Sequence, residues 1–279
     1  MKNRWLTGAA AAALTVAGAL SAQAADLPTR KEAPAPVFVP PPFTWTGFYI
    51  GANAGGIWSS GSRNASLFAP AQDLWLSGYF PGGIGNNQSG FIGGGQAGFN
   101  WQTGAFVLGV ETDFDGTSLS KNFNYTSVPF AGASVPTGLL GDSLNVNAKA
   151  SLDWLGTTRG RVGWVVTPDN RLMVYGTGGF AYAGGSSHFN IYDATSGLYW
   201  TGNPSSTRTG WTLGGGVEYA FTNNITIRGE YLYVNLGNQY INTVGNAAVL
   251  NAFGANAPYA TAKISYDASI VRAGINYKF

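Results

Sequence analysis

Val271-Arg272-Ala273-Gly274-Ile275-Asn276-Tyr277-Lys278-Phe279 ends the chain, and its alternation decides the fold. Val271, Ala273, Ile275, Tyr277 and Phe279 share one parity, and Arg272, Gly274, Asn276 and Lys278 share the other. A period of two is a β-strand. A strand that is apolar on one face and charged on the other suits a wall between hydrocarbon and a polar interior. The pattern recurs upstream. Ile225, Ile227, Gly229, Tyr231 and Tyr233 oppose Thr226, Arg228 and Glu230. Trp211, Leu213, Gly215, Val217, Tyr219 and Phe221 oppose Thr212, Gly214, Gly216 and Glu218. Phe106, Leu108, Val110 and Phe114 oppose Glu111 and Asp113, and Leu152, Trp154, Val162 and Trp164 oppose Arg159 and Arg161. No charge interrupts the apolar parity in the middle of these segments, where a lipid-facing Arg or Lys would cost about 2–4 kcal/mol.

Eight such segments are predicted, over 45–58, 89–102, 105–116, 150–166, 171–184, 208–221, 225–237 and 264–279; the first and fifth alternate least clearly. Thr103-Gly104, Thr167-Pro168-Asp169-Asn170 and Thr222-Asn223-Asn224 make compact turns between the second and third, fourth and fifth, and sixth and seventh. The other four connections, 59–88, 117–149, 185–207 and 238–263, are long and rich in Gly, Asn, Ser, Ala and Pro. Strict alternation of short and long connections is the habit of an outer-membrane barrel, with short periplasmic turns and longer extracellular loops. Aromatics cluster at both strand ends, as interfacial girdles require: Trp45, Phe99, Trp101, Phe106, Trp164, Tyr219, Phe221, Tyr277 and Phe279 at one, and Trp58, Phe114, Trp154, Tyr182, Trp211 and Tyr233 at the other.

Composition agrees. Of 279 residues only 10% are charged, against the roughly 25% of soluble domains, which leaves too little charge for a solvated surface. The net charge of +2 implies no nucleic-acid partner. With no cysteine and one histidine, disulfides, thiolate chemistry and histidine metal clusters are excluded, and no cofactor is expected. Lys2 and Arg4, the apolar run Trp5–Leu20 and Ala22-Gln23-Ala24 read as a signal peptide cut after Ala24. Residues 25–43 form a lead-in containing Pro28, Pro34, Pro36, Pro40, Pro41 and Pro42, which favour extended polyproline II on the periplasmic side. The barrel itself is assigned to 44–279.

Eight strands enclose an interior just wide enough for side chains. The inward acids Glu111, Asp113, Glu218 and Glu230 face the inward bases Arg159, Arg161, Arg228 and Arg272, four against four. Unpaired charges there would be very costly, so a plugging ion-pair network is expected; the alternative is a narrow channel with the same lining. Gly93-Gly94-Gly95 and Gly214-Gly215-Gly216 lie in similar local sequences and leave room for long inward chains. Gly93 to Gly98 also fits GxGxxG, but without the βαβ context that dinucleotide binding needs. His188 has Ser186 and Ser187 beside it; Ser187 points to the opposite face and no third residue orients the histidine, so no catalytic pair is expected.

Several stretches resemble the alphaproteobacterial outer-membrane immunogenic proteins, the RopB-like porin-family barrels: Trp45-Thr46-Gly47-Phe48-Tyr49-Ile50-Gly51, Arg159-Gly160-Arg161-Val162-Gly163, Glu230-Tyr231-Leu232-Tyr233-Val234-Asn235-Leu236-Gly237 and Tyr277-Lys278-Phe279. The resemblance implies an OmpA-like, up-and-down, eight-stranded antiparallel transmembrane β-barrel in the outer membrane. It also implies that Ile275, Tyr277 and Phe279 are read by the barrel-assembly machinery, and that Ala25 attaches to peptidoglycan. Outer-membrane lipid and lipopolysaccharide are the surrounding partners expected. The function expected is structural, with surface loops and no enzymatic activity; a narrow porin for small solutes stands second, and a surface adhesin or ligand-capture protein third.

Overall fold

The computed structural model describes residues 43–59, 63–68, 88–129, 141–202, 205–254 and 259–279. The expected signal peptide 1–24, the Ala24 cleavage point, Ala25 and nearly all of the lead-in lie outside these. The strands are β1 (Gly47–Ser59), β2 (Arg63–Phe68), β3 (Gln88–Thr103), β4 (Phe106–Thr126), β5 (Leu144–Val165), β6 (Leu172–Asp193), β7 (Tyr199–Gly202), β8 (Ser205–Ala220), β9 (Ile225–Asn242), β10 (Val244–Gly245) and β11 (Tyr259–Lys278). A short helix, α1 (Ala247–Phe253), is capped by the Asn246 side chain, which accepts from the Val249 amide.

Antiparallel pairings run β1–β3–β4–β5–β6–β8–β9–β11 and return from β11 to β1, so the eight long strands close a ring. Over the rungs the ring shares, each long strand is paired on both sides, the condition for a sheet in lipid. The outward parity is apolar: Val110 is 61% exposed, Phe114 57%, Val162 58%, Leu213 61%, Val271 52% and Ile275 53%. A band that apolar needs hydrocarbon against it. The tight turns use left-handed backbone where they need it, at Gly104 (φ 59°) and Asn170 (φ 59°).

The strands differ from the expected segments mainly at the loop end. β4, β5 and β6 have 21, 22 and 22 residues, twice the roughly 9–11 that cross a bilayer. Their outward positions are rich in Asn, a poor strand former that alone suggests loop; the ladder continues because the inward positions Leu144, Val146, Phe189 and Ile191 are buried, together with Trp200 of β7. Two further expectations are corrected. Leu152 is buried inside rather than lipid-facing, because the register shifts between Ala150 and Trp154 turn β5 over. Trp45 is not a girdle residue. It is 1% exposed and lies inside, where its indole donates to the Asn170 carbonyl (2.8 Å), its amide donates to Gln102 Oε1 (2.8 Å), and it clusters with Phe43, Val107, Val165, Met173 and Ala220.

The inward face therefore has three layers. An apolar floor around Trp45 sits at the turn end, charges fill the middle, and Ile57, Ile92, Leu119, Leu155, Leu232, Val234 and Ile270 form an apolar layer toward the loop end. Glycines on that face give the middle layer its space: a Cβ on Gly98 would fall against the Tyr49 hydroxyl and the Val110 carbonyl. Gly98→Val is expected to destabilise the barrel by about 1–3 kcal/mol through overpacking. Urea titration of the refolded protein, followed by heat-modifiable gel mobility, measures this.

Candidate functional site

The middle layer is built by strand register. Glu111 faces Arg159 across the β4–β5 ladder, Glu218 faces Arg228 across β8–β9, and Glu230 faces Arg272 across β9–β11. Side chains at such rungs start roughly 5 Å apart, yet most contacts reach across the interior. Arg159 donates to Glu111 (2.5 Å), Asp113 (2.8 Å) and Glu230 (2.9 Å). Arg161 donates to Glu218 (2.6 Å) and to the Tyr49 hydroxyl (3.1 Å), and its guanidinium lies 4.0 Å over the Tyr175 ring. Arg272 donates to Glu230 (2.9 Å), Asp113 (2.7 Å) and Asp115 (2.7 Å). Arg228 leaves its rung partner and pairs with Glu111, whose strand lies four places away around the ring of eight, across the full width of the interior.

All eight expected charges meet here, each 4% exposed or less. Sequence reading missed several other members. Asp115 continues the parity of Glu111 and Asp113 and was legible there. Tyr49 donates to Glu111 (2.7 Å), and Tyr175 donates to Glu230 (3.1 Å). Asn53 donates to Asp115 (2.9 Å) and Gln96 (2.8 Å), Gln96 to Asn276 (2.7 Å), and Asn276 to Glu218 (2.9 Å). These polar residues come from the strands whose alternation was weakest or from positions read merely as the polar face. With them every strand of the ring contributes. Chemically the arrangement sets five carboxylates against four guanidiniums, and each carboxylate is held by guanidiniums or amides rather than placed toward an open cleft.

Outside this layer, Ile275, Tyr277 and Phe279 share the outward face, 53%, 49% and 68% exposed. Ser187 points inward and is buried, hydrogen-bonded with Tyr266 (3.1 Å), while His188 is exposed on the outer face, so the two do not meet.

A model of the outer membrane protein beta-barrel domain matches residues 10–279. The chain belongs to that family. It is an outer-membrane protein of the Gram-negative immunogenic group. Among its barrel-family relatives, a 31 kDa outer-membrane immunogenic protein of Brucella melitensis is 40% identical over 264 residues, covering 94% of this chain and 95% of that one. A 22 kDa outer membrane protein of Rhizobium leguminosarum is 30% identical over 71% of this chain and 67% of its own length. Among solved structures, the outer membrane protein OprG of Pseudomonas aeruginosa superposes with a TM-score of 0.40 at 12% identity, over 85% of this chain and 98% of that one.

Truncating Arg159 leaves Glu111, Asp113 and Glu230 short of a counter-charge in a buried place. Arg159→Ala is expected to cost about 3–5 kcal/mol, the range for breaking a buried pair from one side. Combining it with Glu111→Gln should restore part of that loss, which a double-mutant cycle by urea unfolding reads directly.

Proposed function

We propose that this protein is a structural barrel of the outer membrane whose interior is closed by its own side chains, with no enzymatic role, and that its four long connections are displayed on the cell surface. The observation that carries the reading is the Arg228–Glu111 pair. An ion pair across the width of a barrel occupies the space an aqueous channel would need, whereas a channel lined by charges keeps them along its wall. Two layers support it from either side. The apolar layer toward the loops packs aliphatic side chains across the interior above the charges. The Phe43–Trp45 segment covers the turn end, with Arg171 and Lys278 positioned over the Phe43 ring at 5.7 and 5.4 Å. By the general rule for such barrels the turn end is periplasmic. That placement suits attachment of Ala25 to peptidoglycan and recognition of Ile275, Tyr277 and Phe279 during assembly. The naming of relatives as immunogenic fits display of the loops.

Planar bilayer recording tests the closure. The purified protein is expected to give no large stable pore, and Arg228→Ala combined with Trp45→Ala is expected to raise the frequency of discrete openings. Stable conductance from the unaltered protein would replace this reading with a narrow porin. Muramidase-digested sacculi are expected to release a peptide beginning at Ala25 and joined to a muropeptide; a free Ala25 amine removes the attachment.

A further inference from the structure

We infer that the outward face of the β4–β5–β6 extension binds the phosphorylated sugar head group of lipopolysaccharide in the surrounding outer leaflet. Strand register builds this face in three rows. Asn122, Lys149 and His188 form the first, Asn124, Asn147 and Asn190 the second, and Thr126, Asn145 and Tyr192 the third. Asn122, Asn124, Asn147, Lys149, His188 and Asn190 line one shallow cavity of about 230 Å³, open to the outside.

Position selects the occupant. Phe114, Trp154 and Tyr182 lie directly below, with ring centroids 5.4 and 6.2 Å apart, as an interfacial girdle. His188 is four residues beyond Gly184, the register partner of Trp154. That is about 13 Å along a strand, or roughly 10 Å along the membrane normal at the usual tilt. The rows therefore stand at head-group height, outside the barrel wall, where the neighbouring molecule is lipid.

Chemistry agrees. A solvated sheet face ordinarily mixes charges of both signs. These rows carry amides, hydroxyls, one imidazole, one lysine and no carboxylate; of the nearby acids on these strands, Asp153 sits lower, at the bulge, and Asp193, beside Tyr192, is buried on the inner face and held by Thr195 and Ser196. Asn side chains donate and accept together, as sugar hydroxyls require. Lys149 supplies the cation for a phosphate, with His188 opposite it in register. Tyr192 and the neighbouring Tyr199, 38% and 37% exposed, offer ring faces at the upper margin.

Native mass spectrometry of the full chain refolded in detergent, titrated with full-core lipopolysaccharide, dephosphorylated full-core lipopolysaccharide and lipid A lacking core sugars, tests this. Lys149→Ala is expected to weaken binding of the phosphorylated full-core form about five-fold, the usual share of one cation at an anionic surface, and to leave the dephosphorylated form unchanged. Asn124→Ala with Asn147→Ala is expected to weaken both full-core forms and spare lipid A. These positions are on the outer surface, and unchanged heat-modifiable mobility verifies folding. Equal binding of all variants to full-core lipopolysaccharide overturns the inference. So does equal affinity of the unaltered protein for full-core lipopolysaccharide and lipid A. A reading of the interior as closed or conducting does not enter this outcome, since bilayer recording measures that separately.

Discussion

The constraint the rest of the structure accommodates is the pairing of inward charges that converges on Glu111. Arg159, Arg228 and Tyr49 all donate to it, and Arg161 approaches to 3.8 Å. In an interior a few side chains wide, each ion has lost its water, at a cost of several kcal/mol before pairing. Only multiple partners offset that. The wall around these charges is apolar outward and cannot exchange faces with them. A strand shifted by one residue would send Arg159 or Glu230 into lipid and draw Val162 or Tyr231 inward. Soluble cores often do as well or better with hydrophobic residues in place of a buried ion pair. A lipid-embedded strand that is apolar on both faces, however, has no polarity difference to set its register. The network's use here is therefore specification as much as stability.

The apolar layers above and below follow from the same constraint. A charged layer open to water at either end would exchange its internal partners for solvent. Trp45 below and Ile57, Leu155, Leu232 and Ile270 above are buried. Their burial puts apolar side chains on either side of the ion pairs and lowers the local dielectric that governs their strength. The outer apolar layer continues the parity of the charges: Leu232 and Val234 follow Arg228 and Glu230 on the same face of β9.

Much of this was legible in the sequence because two simple rules coincide there. Side chains alternate along strands, and lipid forbids charge on one parity. That was enough to bring Glu111, Asp113, Glu218 and Glu230 together with the four arginines. What stayed hidden depends on register between strands rather than on pattern within one. The diametric Arg228–Glu111 pairing cannot be read when Arg228 has Glu218 as its rung partner. Trp45 resembles a girdle tryptophan until the chain preceding β1 turns inward. The extensions of β4, β5 and β6 were hidden by composition, since their Asn-rich outer faces read as loop while the alternate Leu144, Val146, Phe189 and Ile191 sealed their inner face. The helix α1 announces itself only through the cap at Asn246.

The bulge on β5 links the two polar surfaces of the molecule. Lys149 has the same sequence parity as Arg159 and Arg161. On an unbroken strand it would project inward, into the apolar layer of Leu119, Leu152 and Leu155, with a buried ammonium set among aliphatic side chains. The register shift between Ala150 and Trp154 turns the strand over, sends Leu152 inward and puts Lys149 outside, opposite His188. A bulge that only relieved curvature could occur at any height. This one lies between Thr157, which donates to Asp113 (2.9 Å) at the upper edge of the network on β5, and the first exposed cation beyond the girdle. The local geometry thus separates a face whose charges must be matched inside the protein from one whose cation stands on the outer surface.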